Sequence, residues 1–550
     1  MANKWATAPY DREQCILMGP SLDEQIASDD PIRLLDKILE CLDWSEWECV
    51  YSDGPGRPPV HPRLLAGSIL YGMMNRIRSS RDLESATRMR IDFHWFLDGR
   101  HIDHSTFARF RNRFSEQIEG LLKDLNREAR KMMQGGPKAI AIDGTSMRAN
   151  SDRHGSRAAQ CLQSKIASLQ IEFGQIMAEM DFLDAMDTVD DSELSALRRR
   201  KDLLQKQMQK LEAALEAADK RDKLKREKDG KNATPVRVPV TDPDSFLLPN
   251  KDGGYAPNYT VTAAVDIDTG MIVASDVPPG GDEASVVQAA VEKLEETFGE
   301  KPEQVLFDSN FASGENLEYL EENEIEAFAP SEAAKPDNPA QRSNPTEPIG
   351  GEEIVRILNA KGNLNKTYFS YDTVNDCYYC PMGRRLPFFR LVYRKTKKGE
   401  KIPAREYKCV DCSACPLARK CLSRKAKTRT VSRDKYEPLR ENLAARMRTD
   451  EARETYKQRA HKGETPFGCI KGNLGIRAFL SRGYEKVKTE WQWICGAYNM
   501  RKLMNIFSAE HMPPETFEQA NVSCAAGNSI TFTIWTLFRI VIRTKMAQAA

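Results

Sequence analysis

Three segments in the first part of the chain have the hydrophobic spacing of amphipathic helices. Apolar side chains recur three and four positions apart in residues 32–42, 62–74 and 107–133. This is the period of an α-helix that buries one face against a core. The pattern therefore predicts an all-α domain over residues 1–135.

The last of these segments carries a stripe of phenylalanines and a separate pair of arginines. Phe107, Phe110 and Phe114 lie at positions i, i+3 and i+7, while Arg109 and Arg113 share another face. The stripe indicates a buried face. The arginine pair fits a DNA-contacting helix and an ordinary solvated helix equally well. Both interpretations stay open, and the two arginines are candidate DNA-binding residues.

Beyond residue 138 the pattern alternates between strands and helices. Short apolar or alternating runs predict strands, and longer runs with helical spacing predict helices. A start rich in strands, followed by alternating helices and strands, argues an α/β core, and the order fits an RNase H-like sheet. The predicted elements are strands 139–142, 259–266 and 271–275, helix 284–298, strand 304–307, helix 314–323 and strand 325–329.

Two further stretches lie within or after this core. Residues 156–231 are rich in Gln, Lys, Glu, Leu and Ala, with helical spacing on both sides of a break near residues 187–191. That pattern predicts two antiparallel helices, a coiled-coil hairpin inserted into the sheet. Residues 331–375 open with many Pro, Asn and Ser residues and are expected to form a linker.

The formal net charge of +1 conceals a strongly basic block. Residues 384–435 contain eighteen Lys or Arg against four Asp or Glu, and such an excess favours a polyanionic partner such as nucleic acid. The apolar run 530–542 is broken by Arg539 and is shorter than the roughly 20 residues that a membrane span requires. No signal peptide is visible. We therefore expect a cytoplasmic, nucleoid-associated protein with no membrane partner.

Six of the thirteen cysteines form a cluster that overlaps the basic block. In a reducing compartment such cysteines are thiols or metal ligands rather than disulfides. Cys-x2-Cys units separated by a loop have the spacing of a closed tetrahedral zinc site. Six cysteines exceed four ligands, so the ligand set stays open, as does a cluster of reduced thiols without metal. The preferred structural zinc ligands are Cys380, Cys412, Cys415 and Cys421, and the alternative set is Cys377, Cys380, Cys409 and Cys412.

Three acidic residues lie where a two-metal site needs them. Asp143 ends the apolar run 139–142, Asp308 ends the run 305–307, and Glu464 opens a predicted helix. Mg²⁺ prefers hard oxygen ligands of this kind, and two such ions about 3.5–4 Å apart can serve one phosphoryl-transfer site. The three carboxylates therefore predict a catalytic site for Mg²⁺ or Mn²⁺.

Several motifs follow one another in an order that makes them specific together. They are Gly-Arg-Pro-Pro at 56–59, Asp-His-Ser-Thr at 103–106, Asp-Gly-Thr at 143–145, Phe-Asp at 307–308, Ser-Gly-Glu-Asn at 313–316, the cysteine cluster, and Glu-Thr-Pro-Phe-Gly at 464–468. On these residues the chain resembles the DDE transposases of bacterial insertion sequences. The resemblance covers about residues 30–505 and is closest to the branch with a helical N-terminal domain and a cysteine cluster before the catalytic Glu.

The family's signature of Tyr, Arg, Glu and Lys falls on Tyr456, Arg459, Glu464 and Lys471. The resemblance implies that the three carboxylates hold the catalytic metal ions, that Lys471 contacts transposon-end DNA, and that Arg459 holds phosphates or bases. It also implies cutting at transposon ends and joining of the freed 3′-hydroxyl to double-stranded target DNA, by a homodimer or higher assembly. One departure is Gly463, which stands where the family often has an apolar residue.

Two other functions fit the same pattern. One is an RNase H-like nuclease that cuts without joining, and the other is a catalytically inactive, transposase-derived DNA-binding protein. Glu490 competes with Glu464 as third ligand, although its place on an amphipathic helix favours a structural role. The predicted domains are a helical DNA-binding domain (1–135), the RNase H-like core (136–155 and 232–330), the coiled-coil hairpin (156–231), a linker (331–375), a cysteine-rich basic insertion (376–435), the last helices of the core (436–508) and a tail (509–550).

Overall fold

A computed structural model describes most of the chain. The described residues are 19–51, 58–131, 136–184, 191–229, 233–249, 253–279, 285–395, 401–423 and 426–509. The predicted tail beyond residue 509, residues 56–57 of the first motif and the predicted break at residues 187–190 lie outside them. Two compact units are present, one within Met1–Leu125, Leu474–Ile476 and Gln492–Ala550, the other within Asn126–Asn473 and Arg477–Trp491.

The first unit is helical, as the apolar spacing predicts. The predicted stripe on its sixth helix is buried, with Phe110 and Phe114 stacked on Trp47. The predicted helix 107–133 is divided in two by a break after Arg113. The helices in this part of the chain are α1 (Pro31–Glu40), α2 (Ser45–Glu48), α3 (Pro62–Met74), α4 (Ser80–Met89), α5 (Ile91–Phe96), α6 (His104–Arg113) and α7 (Gln117–Lys131).

The second unit is a mixed α/β structure, which confirms the predicted class. Its elements up to residue 330 are β1 (Ala139–Arg148), β2 (Ser156–Ala158), α8 (Ala159–Asp184), α9 (Asp191–Asp229), β3 (Arg237–Pro239), β4 (Phe246–Pro249), β5 (Tyr255–Asp266), β6 (Ile272–Asp276), α10 (Val286–Phe298), β7 (Gln304–Phe307), α11 (Gly314–Glu322) and β8 (Glu326–Phe328).

One six-stranded sheet forms the centre of this unit. Its order is β4-β5-β1-β7-β8, and β6 also pairs with β5. β1 runs antiparallel to β5 and parallel to β7, which is in turn parallel to β8. Residues 140–142 of β1 and 305–307 of β7 are fully buried, with α10 and α11 contributing to the same core. The sheet thus places β1 in the middle of the unit.

The long helices α8 and α9 pack against each other, and their assignment as an inserted coiled-coil hairpin stays a prediction. Leu162 and Ile166 of α8 lie in one apolar cluster with Leu211 and Ala214 of α9. A second cluster joins the two helices further along. The short strands β2 and β3 pair at the base of the hairpin.

A second sheet of five strands follows, in the order β13-β12-β11-β10-β9. The stretch 331–375 differs from the expected linker, because its apolar side chains at Ile349, Ile357, Leu364 and Phe369 pack into the core of this sheet. The elements are α12 (Gly351–Asn359), β9 (Ser370–Asp372), β10 (Cys377–Tyr379), β11 (Arg385–Lys395), β12 (Lys401–Lys408), α13 (Ala418–Cys421) and β13 (Thr430–Asp434).

The rest of the described chain is helical. It comprises α14 (Glu437–Arg446), α15 (Asp450–Gln458), a π-helical turn (Arg459–Gly463), α16 (Thr465–Gly468), a second π-helical turn (Cys469–Asn473) and α17 (Tyr484–Ala509). Throughout the described ranges, no helix has the length and apolar character needed to cross a membrane.

Candidate active site

Two of the three predicted carboxylates directly follow the buried apolar residues of the neighbouring parallel strands β1 and β7; β1 itself continues past Asp143 to Arg148. Ile142 of β1 pairs in register with Phe307 of β7, so Asp143 and Asp308 come next on the two strands. Asp308 begins the turn that follows, because its carboxylate accepts a hydrogen bond from the N–H of Ser309 at 2.6 Å. The parallel register therefore brings both carboxylates to the same edge of the apolar core.

The segment that carries the family's signature, residues 456–471 (the signature segment), lies along one face of β1. Side chains two apart on a strand share a face, so Ala141, Asp143 and Thr145 point to the same side. Arg459 Nη2 donates to Asp143 Oδ1 at 2.9 Å. Lys471 Nζ donates to Thr145 Oγ1 at 2.6 Å. Arg459 and Lys471, the two predicted DNA-binding residues of this segment, thus both contact β1.

Gly463 lets this segment approach the strand closely. A Cβ on Gly463 would lie 2.9 Å from the Cβ of Ala141, closer than side-chain carbons pack. The contact explains why glycine stands where the family often has an apolar residue. Gly463 also ends a π-helical turn immediately before Glu464, and such turns are frequent at functional sites.

An aromatic contact fixes the other side of the signature segment. Phe467 of α16 stacks on Trp491 of α17, with ring centroids 6.2 Å apart. Trp491 is fully buried, and its indole N–H donates to the carbonyl of Thr262 on β5. The helix that carries Glu464 is therefore tied to the sheet through buried side chains.

Arg459 joins two of the three carboxylates. Besides Asp143, it donates from Nη1 to Glu464 Oε1 at 3.3 Å. Its side chain is 11% exposed and that of Asp143 is 17% exposed, whereas Glu464 is 57% exposed. Burial raises the pKa of Asp143, the Arg459 guanidinium opposes the shift, and the charges of Glu464 and Asp308 add to it. Glu464 and Asp308 therefore both act on Asp143.

The donor set has the chemistry that Mg²⁺ or Mn²⁺ requires, three carboxylates with hard oxygen atoms. Among the described residues, however, no three acidic, histidine or cysteine side chains are arranged so that they could hold a metal ion. At this site Arg459 binds one oxygen of Asp143 and one oxygen of Glu464.

Glu490, the competing third ligand, is engaged elsewhere. Its Oε1 accepts from the N–H of Leu480 at 3.0 Å and its Oε2 accepts from the N–H of Ser481 at 2.8 Å. These bonds stabilise the turn before α17. The arrangement favours Glu464 as the ligand and gives Glu490 a structural role.

The two arginines of α6 make contacts within their own unit. Arg109 donates to the carbonyl of Ser105 on the preceding turn. Arg113 donates to the carbonyl of Val50 and lies over the ring of Tyr51 at 4.9 Å. Both side chains remain exposed, and their role as DNA contacts stays a prediction.

Five of the six clustered thiols influence one another, because Cys409 hydrogen-bonds with Cys412 and the charges of Cys380, Cys412, Cys415 and Cys421 interact. The pKa of Cys421 is raised to about 11, chiefly by burial, with the charges of Cys412, Cys415 and Cys380 adding to the shift. Cys380 Sγ accepts from the backbone N–H of Arg384. This turn needs glycine at 383, where φ is +70° and a Cβ would meet the Thr346 carbonyl.

Cys377 lies apart from these thiols in its interactions. It is buried on β10, and its thiol forms hydrogen bonds with the side chains of Tyr379 and Arg385 on the same sheet. Cys377 is thus the one clustered thiol without an interaction with the other five in the described part of the chain, and the zinc ligand set stays a prediction.

Sequence reasoning missed two contacts of the site. Thr145 was part of a motif without an assigned role, yet it holds Lys471, and the alternation of side chains along β1 could have placed it beside Asp143. Gly463 was read only as a departure from the family pattern. Its position between an arginine and a glutamate of the signature was the available signal for close packing.

Comparison with known families adds an independent observation. Residues 379–504 match the family described as "Transposase DDE domain", and residues 20–113 match the family described as "Transposase domain (DUF772)". The first match includes Arg459, Glu464 and Lys471, while Asp143 and Asp308 precede it. No curated protein and no solved structure was found to match the chain. Two separate stretches thus match transposase families, which confirms the resemblance and is consistent with an insertion-sequence transposase of the DDE type.

Proposed function

We propose that the protein is a DNA transposase that cuts at transposon ends and joins the freed 3′-hydroxyl to target DNA. The observation that carries the proposal is Arg459, which ties Glu464 to Asp143, one residue beyond the β1–β7 pairing that also precedes Asp308. The order of the first sheet supports an RNase H-like core, since three antiparallel strands (β6, β5, β1) are followed by two parallel ones.

In this proposal Asp143, Asp308 and Glu464 supply the carboxylate oxygens for two Mg²⁺ or Mn²⁺ ions. Bound ions of this kind activate the attacking oxygen and stabilise the leaving one. Arg459 and Lys471 hold the phosphates of the DNA end. The Nε of Arg459 is buried and has no hydrogen-bond partner among the described residues.

The reaction proceeds in two displacements at phosphorus. Water attacks the phosphodiester at the transposon end, and the bond to the 3′-oxygen breaks to release a 3′-hydroxyl. That hydroxyl attacks a phosphodiester of the target, forming a new bond and releasing a target 3′-hydroxyl. Because both ends must be held together, a homodimer or larger assembly is the proposed active form, with the α8–α9 hairpin as the pairing element.

The test is cleavage and joining of labelled duplex DNA that carries the element's end, with Mg²⁺ or Mn²⁺. Wild type is expected to cut and join, Glu464→Gln to do neither, and Glu490→Gln to retain both activities with a lower melting temperature. Cutting without joining would favour the nuclease alternative. A folded wild type that binds the end but does not cut would favour the inactive DNA-binding protein.

For the cysteine cluster we propose a structural Zn²⁺ held by Cys380, Cys412, Cys415 and Cys421. Zinc ligation needs thiolates, and it would draw together four thiols that already interact. Purified protein is expected to contain about one zinc per chain, as a closed four-thiolate site holds one ion. Elemental analysis of Cys421→Ser should show the zinc lost, while Cys377→Ser should keep it. The reverse result would select the alternative ligand set.

A further inference from the structure

The hairpin of β11 and β12 exposes apolar side chains that a soluble sheet ordinarily buries. Leu391 is 52% exposed and Tyr393 is 68% exposed, and Phe388 and Phe389 are also exposed. Large apolar side chains gathered on one exposed element mark an interaction surface more often than scattered ones do. The hairpin is therefore a candidate docking element.

A bulge in β11 places three of these side chains on one face. Phe388 pairs with Tyr407, Leu391 with Arg405 and Tyr393 with Pro403. Residues 403, 405 and 407 alternate along β12 and so share a face, and their partners share it too. The register shift between Phe388 and Arg390 is what aligns Phe388 with Leu391, three positions later. We call the Phe388, Leu391 and Tyr393 side chains the ribbon face.

On the side of the hairpin that carries the ribbon face, the side chains change from buried to exposed along the strands. At its inner end Tyr407 is fully buried in the core of the second sheet. Toward the tip the same face leaves the core and its side chains become exposed. Arg405 lies between the two regions, with its guanidinium 4.4 Å from the ring centre of Phe388. The exposed part is thus an extension of an ordered sheet.

Positive charge surrounds the ribbon face. Residues 385–408 contain nine Lys or Arg against two Glu. Glu406 pairs with Arg390 at 2.7 Å, and Asp376, from outside the hairpin, pairs with Arg405. On the other side of the ribbon, Lys408 Nζ lies 4.8 Å from the ring centre of Phe389. The hairpin therefore combines exposed apolar groups with a large excess of cations.

We propose that the β11–β12 ribbon binds duplex DNA through this face. A two-stranded β-ribbon fits the major groove of B-DNA. The cations at the edges of the ribbon contact phosphates, and Leu391 and Tyr393 pack against sugars and base edges. The proposal deepens the function proposed above and rests on DNA being the partner.

Charge decides between DNA and a second copy of the chain as occupant. Two copies meeting through this face would bring two strongly basic segments together, with few acidic residues in either segment to offset them. Like charges at an interface oppose association. A polyanion instead gains from the same cations through counterion release.

The experiment measures fluorescence anisotropy of a labelled random-sequence DNA duplex in EDTA, so that binding is read without cleavage. The variants are Leu391→Ala with Tyr393→Ala, and separately Lys401→Gln at the ribbon tip. Phe182→Ala is the matched control, because Phe182 is an aromatic residue of similar exposure, 62%, on α8. Far-ultraviolet circular dichroism verifies folding of each variant.

The double variant is expected to bind about tenfold more weakly with the same salt slope, since packing on bases is lost and no charge changes. Lys401→Gln should lower the slope of log affinity against log salt by about one. Phe182→Ala should bind like wild type. Unchanged affinity of a folded double variant would overturn the proposal, as would a change in its oligomeric state with no effect on DNA.

The DNA-binding assay and the cleavage assay together distinguish the transposase proposal from the ribbon proposal. If wild type binds but does not cut, and the double variant binds weakly, the transposase function fails while the ribbon assignment stands. If wild type cuts and joins but the double variant binds as wild type does, the ribbon assignment alone fails.

Discussion

Replacement of Asp143 by Asn is expected to abolish cleavage and joining of transposon-end DNA. Asn keeps the size of Asp but lacks the negative charge that holds a divalent cation. Losing several kcal/mol of charge stabilisation at the reacting phosphate corresponds to a rate reduction of about a thousandfold or more. Single-turnover cleavage of labelled end DNA in Mg²⁺ measures the effect.

The same substitution is expected to leave the fold intact. Burial raises the pKa of Asp143, so the folded protein binds this proton more tightly than the unfolded chain does. The contribution of Asp143 to stability therefore falls as the pH rises from the ordinary pKa of the carboxyl through the raised value. At pH 7 the ionised side chain weakens the fold, and Asn removes that cost, while Arg459 keeps Glu464 as a partner.

Thermal unfolding at pH 7 provides the second readout. Asp143→Asn should melt no lower than wild type while being inactive. A melting temperature well below that of wild type would show that the charge of Asp143 stabilises the structure through Arg459 more than burial penalises it. Cleavage at the wild-type rate would show that Asp143 is not a catalytic residue.

The centre of the sheet could be predicted because burial dominates there. The apolar run 139–142 predicted the buried part of β1, and the predicted strand 304–307 coincides with β7. The prediction ended β1 at Ile142, whereas the strand continues to Arg148. Its polar second half gives no apolar signal, but it pairs residue by residue with the long strand β5, and strand formation depends on such neighbours more than on intrinsic preference.

The linker expectation for residues 331–375 shows the opposite effect. Pro, Asn and Ser are typical of irregular chain, and the stretch does contain turns. Arg342, however, donates to the carbonyls of Pro339, Pro345 and Cys380. The bond to Cys380 is long-range, and together with the packing of Ile349, Ile357, Leu364 and Phe369 it orders a segment of irregular composition, which local sequence does not reveal.

The site was partly predictable for a similar reason. The carboxylates after the apolar runs and the spacing of Arg459, Glu464 and Lys471 are visible in the sequence. Two π-helical turns lie on either side of Glu464 and α16, and periodicity alone does not encode them. The hydrogen bonds that engage Glu490 in the turn before α17 are likewise not visible in the sequence, and which glutamate is the third ligand stays a prediction.

Replacement of Gly463 by Ala is expected to reduce cleavage about a hundredfold. The added Cβ would lie 2.9 Å from the Cβ of Ala141, and neither atom is the end of a flexible side chain. The helical segment must move away from β1, taking the adjacent Glu464 with it. Misplacing a catalytic group by about 1 Å costs on the order of 10²-fold in rate. Overpacking costs about 1–3 kcal/mol of stability.

Gly468→Ala is the matched control, because the same change occurs in α16 where nothing lies within 4 Å of the added Cβ. It should raise the free energy of unfolding by up to about 1 kcal/mol through helix propensity and leave cleavage unchanged. The double variant Ala141→Gly with Gly463→Ala removes the opposing methyl group and should recover part of the lost activity. If Gly463→Ala cleaves as wild type does, or if Ala141→Gly gives no recovery, close packing of the signature segment on β1 is not what positions Glu464.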